Sequence, residues 1–587
     1  MNDGSEHPAA APASPWFPEY FPYRRPPELD DADISHRTVI VVGAGPVGLA
    51  MALDWAQRGH DVLVLTANHQ LSEGSRAICF AKRTLEICDR LGCGDVVVNK
   101  GVSWNVGKVF LQDRLLYEFN LLPETGFERP AFVNLQQYYF EQFELAELAA
   151  RRDQATGQHR IELRWKSRVT AVTPAPDRVR LEVECPDGTY ALWCDWLIVC
   201  DGAGSPVRKM LGQKTEGQVF KDRFLIADVR LRGASAARFA TERWFWFDPP
   251  FHRNQSVLLH RQADDIWRID FQLGWQADPD VERQPGRVRP RIQAMLGDDV
   301  EFDLDWVSVY TFQCRRMERF VHDRVIFAGD AAHQVSPFGA RGANSGIQDV
   351  DNLGWKLDLI VRGLAPVALL ESYDLERAQA ADENILNSTR STDFITPKSD
   401  ISRTFRDATL ELAARYPFAR KLVNSGRLSV PAQHFDSPLN TADVESWSAG
   451  AALAPGSPAL DAPVLFGGRP GWLLRHLGGT FAVFVFAPQG ELPAALHDAL
   501  LQAALLPIPV HPIVVTRAPV LGDDAITWLV DKEGLAFARY APDGEAVYLL
   551  RPDQHVAGRH ASLTADWIGA ALRSACMTET SFATGAC

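Results

Sequence analysis

The chain of 587 residues lacks the marks of several large protein classes. Its nine cysteines show neither CxxC nor His/Cys ligand spacing, which predicts reduced thiols and no metal site. No apolar run approaches the roughly 18 residues that a membrane-spanning helix needs. The net charge of -14 is opposite to the basic surface that nucleic-acid binding requires. We therefore expect a cytoplasmic protein that acts on a small molecule, with no nucleic-acid or membrane partner.

The first 36 residues also lack the cationic start and the apolar core of a signal peptide. They are rich in proline and alanine, yet they contain five aromatic residues within eight positions, which is unusual for a fully solvated tail. These residues are Trp16, Phe17, Tyr20, Phe21 and Tyr23. The pattern predicts an N-terminal arm over residues 1–36 that lies on the surface of a folded domain.

A glycine turn follows an apolar strand near the start of the chain. The run Thr38–Val42 predicts the strand, the segment GAGPVG predicts the turn, and Leu49–Leu53 has helical spacing. In such a turn the first glycine permits a tight bend, the second lets the backbone approach a pyrophosphate, and the third lets the helix pack closely. The predicted contact residues are Gly43, Gly45, Pro46, Val47 and Gly48. The alternative is an ordinary strand-to-helix turn without a ligand.

One position departs from the usual dinucleotide pattern. The second strand, Val62–Leu65, ends at Thr66, where an acidic residue would normally accept hydrogen bonds from the adenosine ribose. A hydroxyl can make one such bond but carries no charge. Thr66 stays in the predicted site. The later motifs must decide whether that site binds a dinucleotide.

Two further signatures follow in a fixed order: CDGAGSPVR over Cys200–Arg208 and AGDAAH over Ala328–His333. The second continues into a turn in which Pro337 restricts the backbone and glycines allow close approach to a flat ring. A helix predicted from about Asn344 would point its amide end at that ring, which favours an anionic reduced flavin. The alternative is a glycine-rich loop that caps a buried helix.

The three signatures resemble those of the FAD-dependent aromatic hydroxylases, the single-component flavoprotein monooxygenases that include phenol hydroxylase and 3-(3-hydroxyphenyl)propionate hydroxylase. The resemblance runs from about residue 38 to about residue 363. It implies that Asp201 and Gly202 lie near the FAD pyrophosphate and that Gly329 and Asp330 hold the ribityl chain. The predicted cofactor-binding set is completed by Arg76, Gln137, Val169, Gly342, Ala343 and Asn344.

The resemblance also implies a reaction. NADH or NADPH would reduce the FAD, O2 would be captured as a flavin C4a-hydroperoxide, and a phenolic aromatic substrate would be hydroxylated. One alternative is an FAD oxidoreductase of the same fold that performs epoxidation, oxygen insertion or halogenation. Another is a catalytically silent flavin-fold scaffold.

The source of a catalytic base is open. Related phenol hydroxylases often carry His or Asp two residues after the position of Arg76, whereas this chain has Ile78. Either the substrate needs no base, or the base comes from a predicted aromatic-rich sheet. Candidates in that sheet are Tyr310, Asp270, His260 and Arg268; Pro337 and Arg341, whose cation could face the ring edge or the solvent, complete the predicted catalytic set.

The predicted fold class is α/β: an FAD-binding Rossmann-like domain, an inserted antiparallel-sheet substrate domain and a C-terminal thioredoxin-like domain. The last assignment depends on DKEGLAFARY and AVYLLRPDQHVAGR, which resemble the tail of the phenol hydroxylase branch. Without CxxC, that tail is expected to stabilise the protein or a homodimer rather than exchange disulfides. The predicted boundaries are 1–36 for the arm; 37–100, 135–214 and 317–430 for the FAD-binding domain; 101–134 and 215–316 for the substrate-binding sheet; 431–470 for a linker; and 471–587 for the thioredoxin-like domain.

Overall fold

A computed structural model describes residues 20–30, 33–151, 160–233, 241–423, 428–443, 447, 453–520 and 522–578. Trp16 and Phe17 of the predicted arm, and the last cysteine, Cys587, lie outside these ranges. The part of the arm that the structure describes contacts the first domain. Phe21 stacks on Trp165 with 4.3 Å between ring centres, and the Tyr23 hydroxyl donates to Asp187 at 3.0 Å.

The first half of the chain supplies a parallel sheet and the helices that cover it. Its elements up to residue 134 are β1 (Ser35–Val42), α1 (Pro46–Gln57), β2 (Val62–Leu65), β3 (Cys79–Ala81), α2 (Lys82–Leu91), α3 (Gly94–Lys100), β4 (Val102–Trp104), β5 (Val106–Leu111), β6 (Arg114–Asn120) and β7 (Phe132–Asn134). The next are α4 (Gln137–Ala150), β8 (Ile161–Arg164), β9 (Arg168–Pro174), β10 (Val179–Cys185), β11 (Gly188–Val199) and α5 (Pro206–Met210).

The middle of the chain forms a second sheet and a group of long helices. Its elements are β12 (Glu216–Val219), β13 (Arg223–Leu231), β14 (Arg243–Phe247), β15 (Ser256–Arg261), β16 (Ile266–Leu273), α6 (Pro279–Glu282), α7 (Pro285–Leu296), β17 (Phe302–Tyr310) and β18 (Gln313–Arg316). They continue with β19 (Val321–His322), β20 (Val325–Phe327), β21 (His333–Gln334), α8 (Gly342–Val361), α9 (Leu369–Ile395), α10 (Asp400–Arg415) and α11 (Pro417–Val423).

The C-terminal part is a third sheet with its own helices. Its elements are β22 (Pro463–Phe466), β23 (Arg469–Trp472), β24 (Phe481–Phe486), α12 (Ala494–Ala503), β25 (Val510–Thr516), β26 (Thr527–Val530), α13 (Leu535–Tyr540), β27 (Ala546–Leu550), β28 (Val556–His560) and α14 (Ile568–Cys576).

The first sheet has the order β19-β20-β11-β1-β2-β8, and the five strands from β20 to β8 are parallel neighbours. Strands β9 and β10 extend the sheet from β11 in antiparallel pairs and form a meander with it. Strands β1 and β2 are buried over their shared length, as their continuous apolar runs predict. This is a mixed α/β fold with a Rossmann-like core.

The second sheet has seven strands in the order β17-β13-β16-β15-β14-β5-β6. The prediction of a purely antiparallel sheet is wrong at one place, because β14 and β5 are parallel. The β5–β6 hairpin enters from a distant part of the chain, so no tight turn dictates its direction relative to β14. One face of the sheet packs on α7 through an apolar cluster that includes Trp267, Ile269 and Phe271.

The third sheet has the order β23-β22-β26-β25-β24-β27-β28, with parallel neighbours at its centre. The predicted linker over 431–470 is too long. Residues from Pro463 onward form the β22–β23 hairpin, and β22 pairs with β26. The helical region after α9 is divided into α10 and α11 at Tyr416, whose backbone is extended because Pro417 follows.

Two three-stranded sheets connect these parts: β3-β7-β4 and β12-β18-β21. The cysteines that the structure describes are all buried and unpaired. Within the described ranges, no helix combines the length and the apolar character needed to cross a bilayer, and no group of His, Cys, Asp or Glu has a metal-binding arrangement.

Candidate active site

Four sequence signatures meet at one edge of the parallel sheet. The GAGPVG turn follows β1, Thr66 follows β2, Asp201 follows β11 and Gly329 follows β20. Since these strands are parallel neighbours, their carboxyl ends lie side by side. In open α/β sheets this edge is the place where ligands bind. The folded chain therefore brings these four segments together in a single cleft.

The three glycines of the first turn divide into two kinds. A Cβ on Gly43 would lie 2.3 Å from the Cys200 carbonyl oxygen, and one on Gly48 would lie 1.9 Å from the Gly43 carbonyl oxygen. Both positions therefore need glycine for the fold itself. A Cβ on Gly45 would meet no protein atom within 4 Å, and its φ of −86° suits any residue. Gly45 faces open space at the start of α1, where a phosphate group fits.

Asp201 and Gly202 lie at the end of β11. Asp201 Oδ2 accepts a hydrogen bond from the Val207 amide at 3.0 Å, which anchors the start of α5. Its other oxygen, Oδ1, is buried without a protein partner in the described part of the chain. Burial raises the pKa of this carboxyl, against its hydrogen bonds. An orphaned acceptor beside the glycine turn fits a hydroxyl or amide donor of a bound ligand.

Gly329 and Asp330 are held from below by helix α8. The Asp349 carboxylate accepts from the Gly329 amide at 2.8 Å, from His333 Nε2 at 2.7 Å and from Arg377 Nε at 2.7 Å. Asp330 itself is exposed to the cleft, and its side chain makes no hydrogen bond to the protein that the structure describes. The protein around it still desolvates the carboxylate, which raises its pKa. A free acceptor aimed into the cleft is the arrangement predicted for binding ribityl hydroxyls.

The start of α8 lies next to Asp330. A Cβ on Gly342 would come within 3.9 Å of Asp330 Oδ1, and the first turn of the helix has no side-chain cap. The amides of Gly342 and Ala343 therefore have no partner within the helix. The side-chain amide of Asn344 makes three hydrogen bonds within the protein. It accepts from the Ala81 amide and donates to the Cys79 and Ala340 carbonyls. Its contribution is to position the turn.

Arg341 does not point to solvent, so that alternative is wrong. Its side chain is 3 % exposed and donates to the Phe338 carbonyl at 3.3 Å. Burial lowers its pKa to about 10, although the charge of Glu383 on α9 opposes this. The guanidinium lies over Gly339, where a Cβ would be 1.8 Å from Nη1. Arg341 thus supports the turn that follows Pro337.

Arg76 and Gln137 lie on the opposite side of the cleft. Gln137 Oε1 accepts from the Ala77 amide at 3.0 Å and its Nε2 donates to Glu141 at 2.8 Å, so it holds the segment that carries Arg76. The Arg76 side chain is exposed and forms no salt bridge within the described residues. It is free to meet a ligand.

Thr66 and Val169 are less accessible. Thr66 is buried and its hydroxyl accepts from the Asn68 amide at 3.3 Å. Val169 lies in the core of the meander, so only its backbone could face a ligand. Their assignment to the cofactor stays a prediction.

The four candidate bases meet on one face of the second sheet. Register places His260 opposite Arg268, Leu258 opposite Asp270 and Phe224 opposite Tyr310. The Arg268 guanidinium donates to Asp270 at 3.0 Å, and His260 Nε2 lies 3.2 Å from the same carboxylate. We call Arg243, His260, Arg268, Asp270, Asp228 and Tyr310 the sheet cluster.

The sheet cluster touches the cofactor-side segment directly. Arg268 Nη1 donates to the Ser75 carbonyl and, at 3.1 Å, to the Arg76 carbonyl. Arg268 therefore contacts the segment that leads to Ile78, the position at which the sequence lacks a base. Sequence spacing could not show this, because the residues come from three different strands.

The pKa values of three side chains in the sheet cluster are strongly shifted. Burial and the nearby charge of Arg243 lower the pKa of His260 to about 3. Burial alone would raise the pKa of Asp270, but Arg268 and His260 outweigh it and the pKa falls to about 2. Burial raises the pKa of the Tyr310 phenol above its usual range. At neutral pH the histidine is uncharged, the aspartate is ionised and the tyrosine keeps its proton.

An apolar pocket, which we call the aromatic pocket, lies between this sheet face and the turn after Pro337. Its wall is formed by Val109, Phe119, Phe245, Phe247, Phe338, Gly339, Ser391, Ile395, Val423 and Leu428. Four phenylalanines give this wall the apolar, aromatic character that suits a flat ring, but the space they enclose is only about 40 Å³, so a substrate ring would enter only if these side chains move. Phe338 and Gly339 belong to the turn that connects Asp330 to α8, so the pocket adjoins the cofactor cleft.

Sequence reasoning missed Asp349, Asp228 and Arg243. Asp349 was hidden within a helix, although its position one turn after the glycine-rich segment was a usable signal. Arg243 begins the strand Arg243–Phe247, whose other residues are all aromatic. A lone arginine that begins an otherwise aromatic strand was the available clue.

Comparison with known proteins agrees with this geometry. The family model described as FAD binding domain matches residues 36–388. A flavin-dependent monooxygenase of Mycobacteroides abscessus is 30% identical over 356 residues, covering 59% of this chain and 72% of its own. A 3-(3-hydroxy-phenyl)propionate/3-hydroxycinnamic acid hydroxylase of Mycolicibacterium smegmatis is 25% identical over 91% of this chain and 92% of its own. Among solved structures, the flavin-dependent monooxygenase PieE, in complex with FAD and substrate, has a TM-score of 0.76 at 22% identity over 92% of this chain and 99% of its own.

The chain belongs to the FAD-binding domain family, whose model covers more than half of it. It is a flavoprotein monooxygenase of the aromatic hydroxylase type, and its cofactor is FAD. The predicted family and cofactor are thereby confirmed.

Proposed function

We propose that this enzyme uses NADH or NADPH and O2 to hydroxylate a phenolic aromatic substrate. The observation that carries the proposal is the aromatic pocket, which is lined by apolar side chains of the second sheet and by Phe338 and Gly339 of the turn that follows the cofactor-side residue Asp330. A ring in this pocket would contact the aromatic side chains of the second sheet and the turn that leads from Asp330 to α8. The relative from Mycolicibacterium smegmatis, whose name specifies hydroxylation of 3-(3-hydroxy-phenyl)propionate and 3-hydroxycinnamic acid, supports the same class of substrate.

The residues present fit FAD. Gly45 leaves space for the pyrophosphate, Asp201 Oδ1 lacks a partner and Asp330 is open to the cleft. The uncapped start of α8 offers amides and the positive end of a helix dipole to an anionic ring. When bound, FAD accepts a hydride from the nicotinamide and transfers one oxygen atom of O2 to the substrate.

The protein's own contribution is orientation and the exclusion of water. The apolar wall of the aromatic pocket holds the ring and keeps bulk solvent away from it. The Tyr310 phenol keeps its proton and can donate a hydrogen bond. Asp270, with a pKa of about 2, and His260, with a pKa of about 3, are poor proton acceptors at neutral pH. We infer that the cluster orients the substrate and polarises its oxygen rather than serving as a strong base.

The second sheet is assigned here as the substrate domain and the C-terminal sheet as a thioredoxin-like unit without redox activity. The central strands of that sheet are parallel, as in a thioredoxin-like fold, and Cys576 is buried. Insulin-disulfide reduction by the full-length protein would contradict the redox-silent assignment. A homodimer remains a prediction.

The test is a stoichiometric assay of the flavin-loaded protein. A panel of phenols is screened for stimulated NAD(P)H oxidation and O2 uptake, and product mass is measured under 18O2. We expect one labelled oxygen atom per product molecule. Substrate-independent NAD(P)H oxidation with no labelled product from any phenol would overturn the proposal, and a halogenated or epoxidised product would assign one of the alternative reactions.

A further inference from the structure

Helices α10 and α11 expose a row of large apolar side chains to solvent, which we call the apolar stripe. Its members are Ile401, Phe405, Leu412, Tyr416, Phe418 and Leu422. Their exposure ranges from 44 % for Leu412 to 83 % for Ile401. No other stretch of similar length among the described residues carries as many exposed large apolar side chains.

The apolar stripe is large for the surface of a monomer. Since an aromatic side chain has about 150–250 Å² of surface, the six residues together expose on the order of 800 Å². The largest apolar patch of a typical monomer measures about 300–600 Å², whereas each partner in a standard protein interface contributes about 800 Å². A patch of this size indicates a surface that another molecule covers.

The spacing on α10 is that of a helix that packs on another helix. Four exposed residues follow each other by four, three and four positions: Ile401, Phe405, Ala408 and Leu412. This is the spacing of a coiled-coil seam, and the small side chain of Ala408 at its middle allows close approach. The opposite face of α10 is filled, because Leu410 and Ala413 are buried in an apolar cluster. The seam is a second packing face, which no element of the described chain covers.

The charges at the two ends of α10 favour a second copy of this chain as the occupant. Asp400 lies in the first turn and Arg415 in the last turn, and both are exposed. In an antiparallel pair related by a two-fold axis near Ala408, the acidic turn of each helix lies beside the basic turn of the other. A parallel pair would place like charges and like ends of the helix dipoles together.

A lipid surface fits the apolar stripe less well. Asp400, Asp407 and Glu411 lie on one flank of the seam, and the chain has a net charge of -14. Helices that lie on membranes instead carry lysine and arginine on their polar face. The flanking charges therefore favour a protein partner with both signs of charge, as a second copy supplies.

We propose that the apolar stripe is a homodimer interface in which α10 of one copy packs antiparallel on α10 of a second copy around Ala408. The inference does not depend on the proposed function. It locates the predicted homodimer on α10 and α11 rather than on the C-terminal tail. The inner face of the same helices carries Val423, which lines the aromatic pocket, so the interface lies directly outside one wall of that pocket.

The mass of the full-length, FAD-loaded protein in solution tests the proposal. We expect gel filtration with light scattering to give twice the mass of one chain at micromolar concentration. Phe405→Asp should raise the dissociation constant of the dimer at least about 100-fold, because an unpaired charge would be buried in the seam. Its FAD content should stay unchanged. Leu505→Asp, at a 77 % exposed position of the C-terminal part, is the matched control and should stay dimeric.

Charge reversal tests the antiparallel orientation. Asp400→Lys and Arg415→Glu should each weaken the dimer by about threefold to tenfold, and the double variant should restore its affinity. Within one chain the two residues lie about 22 Å apart along the helix, so a rescue can arise only between copies.

A protein that stays monomeric at its highest soluble concentration would overturn the proposal. Co-sedimentation of that monomer with vesicles of phosphatidylcholine and phosphatidylglycerol, lost in Phe405→Asp, would assign the apolar stripe to a lipid surface instead. A dimer that survives Phe405→Asp would place the interface elsewhere and overturn the proposal as well. If Phe405→Asp did not fold, the charge-reversal series would decide, because a double variant without rescue contradicts the antiparallel pair.

Discussion

Two groups of buried ionisable side chains differ in whether every charged side chain has a partner of opposite charge. One lies where α8, α9 and the C-terminal sheet meet, and we call Glu376, Lys356, Arg551 and Asp553 the closed network. Glu376 accepts from Arg551 at 2.6 and 3.0 Å and from Lys356 at 2.8 Å, and Arg551 also contacts Asp553. In the sheet cluster, by contrast, Arg243 has no carboxylate partner among the described residues.

The difference separates a structural role from a functional one. Every cation of the closed network has an anion, so the network holds the C-terminal part against the helix whose first turn faces the cofactor cleft. The sheet cluster and the cofactor cleft instead contain unpaired groups: Arg243, Asp201 Oδ1 and Asp330. Unsatisfied polar groups next to open space indicate a ligand, whereas satisfied ones indicate architecture.

The largest effect is expected in the cofactor cleft, at the glycine turn. Gly45→Val should yield folded but colourless protein, because its side chain fills the space that the pyrophosphate needs. The measurement is flavin absorbance together with circular dichroism. Gly286→Val, also in open space but on α7, should stay yellow. A fully flavinated Gly45→Val protein would remove the basis of the site assignment.

Breaking the closed network should reduce stability rather than binding. Glu376→Ala leaves Arg551 and Lys356 buried without their shared anion, and the loss of one member of a buried pair typically costs about 3–5 kcal/mol. Urea unfolding measures this loss. Glu371→Ala, exposed on the same helix, should change little. Equal unfolding midpoints for Glu376→Ala and wild type would refute the distinction between the two groups.

The sheet cluster should show a pH signature that the closed network lacks. Burial raises the pKa of Asp228 to about 7, although Arg268 opposes it, whereas the unfolded chain titrates near the usual 3.8. Between about pH 4 and 7 the folded state keeps a proton that the unfolded state has released. The contribution of Asp228 to stability therefore falls as pH rises through this window.

Asp228→Asn removes this pH dependence. The free energy of unfolding of the variant, relative to that of wild type, should therefore rise by about 2–4 kcal/mol from pH 4 to pH 7. Unfolding curves at several pH values measure the gain. Asp303→Asn, an exposed site on the same sheet, should follow the wild-type slope. Parallel curves for Asp228→Asn and wild type would show that Asp228 is ionised in the folded state.

At the cofactor cleft, Asp330→Ala should weaken FAD binding by about 1.5–3 kcal/mol, since a charge-assisted hydrogen bond is lost. Titration of the apoprotein with FAD, followed by flavin fluorescence, gives the affinity. Asp298→Ala is an exposed control. Unchanged affinity in Asp330→Ala would move the ribityl chain away from this carboxylate.

The smallest effect is expected at Arg341. Arg341→Ala should keep its FAD but lower the product formed per NAD(P)H by less than about tenfold, because the turn after Pro337 loses its internal support and water enters the pocket. Hydrogen peroxide release should rise in parallel. Arg390→Ala, exposed on α9, is the control. Coupling equal to wild type would leave Arg341 without a catalytic contribution.

Local sequence decided a large part of this protein. The strand, glycine turn and helix at residues 38–53, the meander and most strands of the two later sheets follow from short-range patterns of apolar residues and glycine. The cofactor family was evident because three short motifs carry the backbone geometry that a dinucleotide needs. Errors occurred where distant segments pair, as in the parallel β5–β14 contact and the pairing of β22, inside the supposed linker, with β26.

Only the tertiary structure decided which polar residues act together. Tyr310, Asp270, His260 and Arg268 were individually plausible, but strand register brings them to one face, and burial sets their protonation. The same holds for Arg243, because only the folded structure shows that it has no carboxylate partner among the described residues. Pairing and desolvation depend on contacts between residues far apart in the chain, and these contacts exist only once the chain is folded.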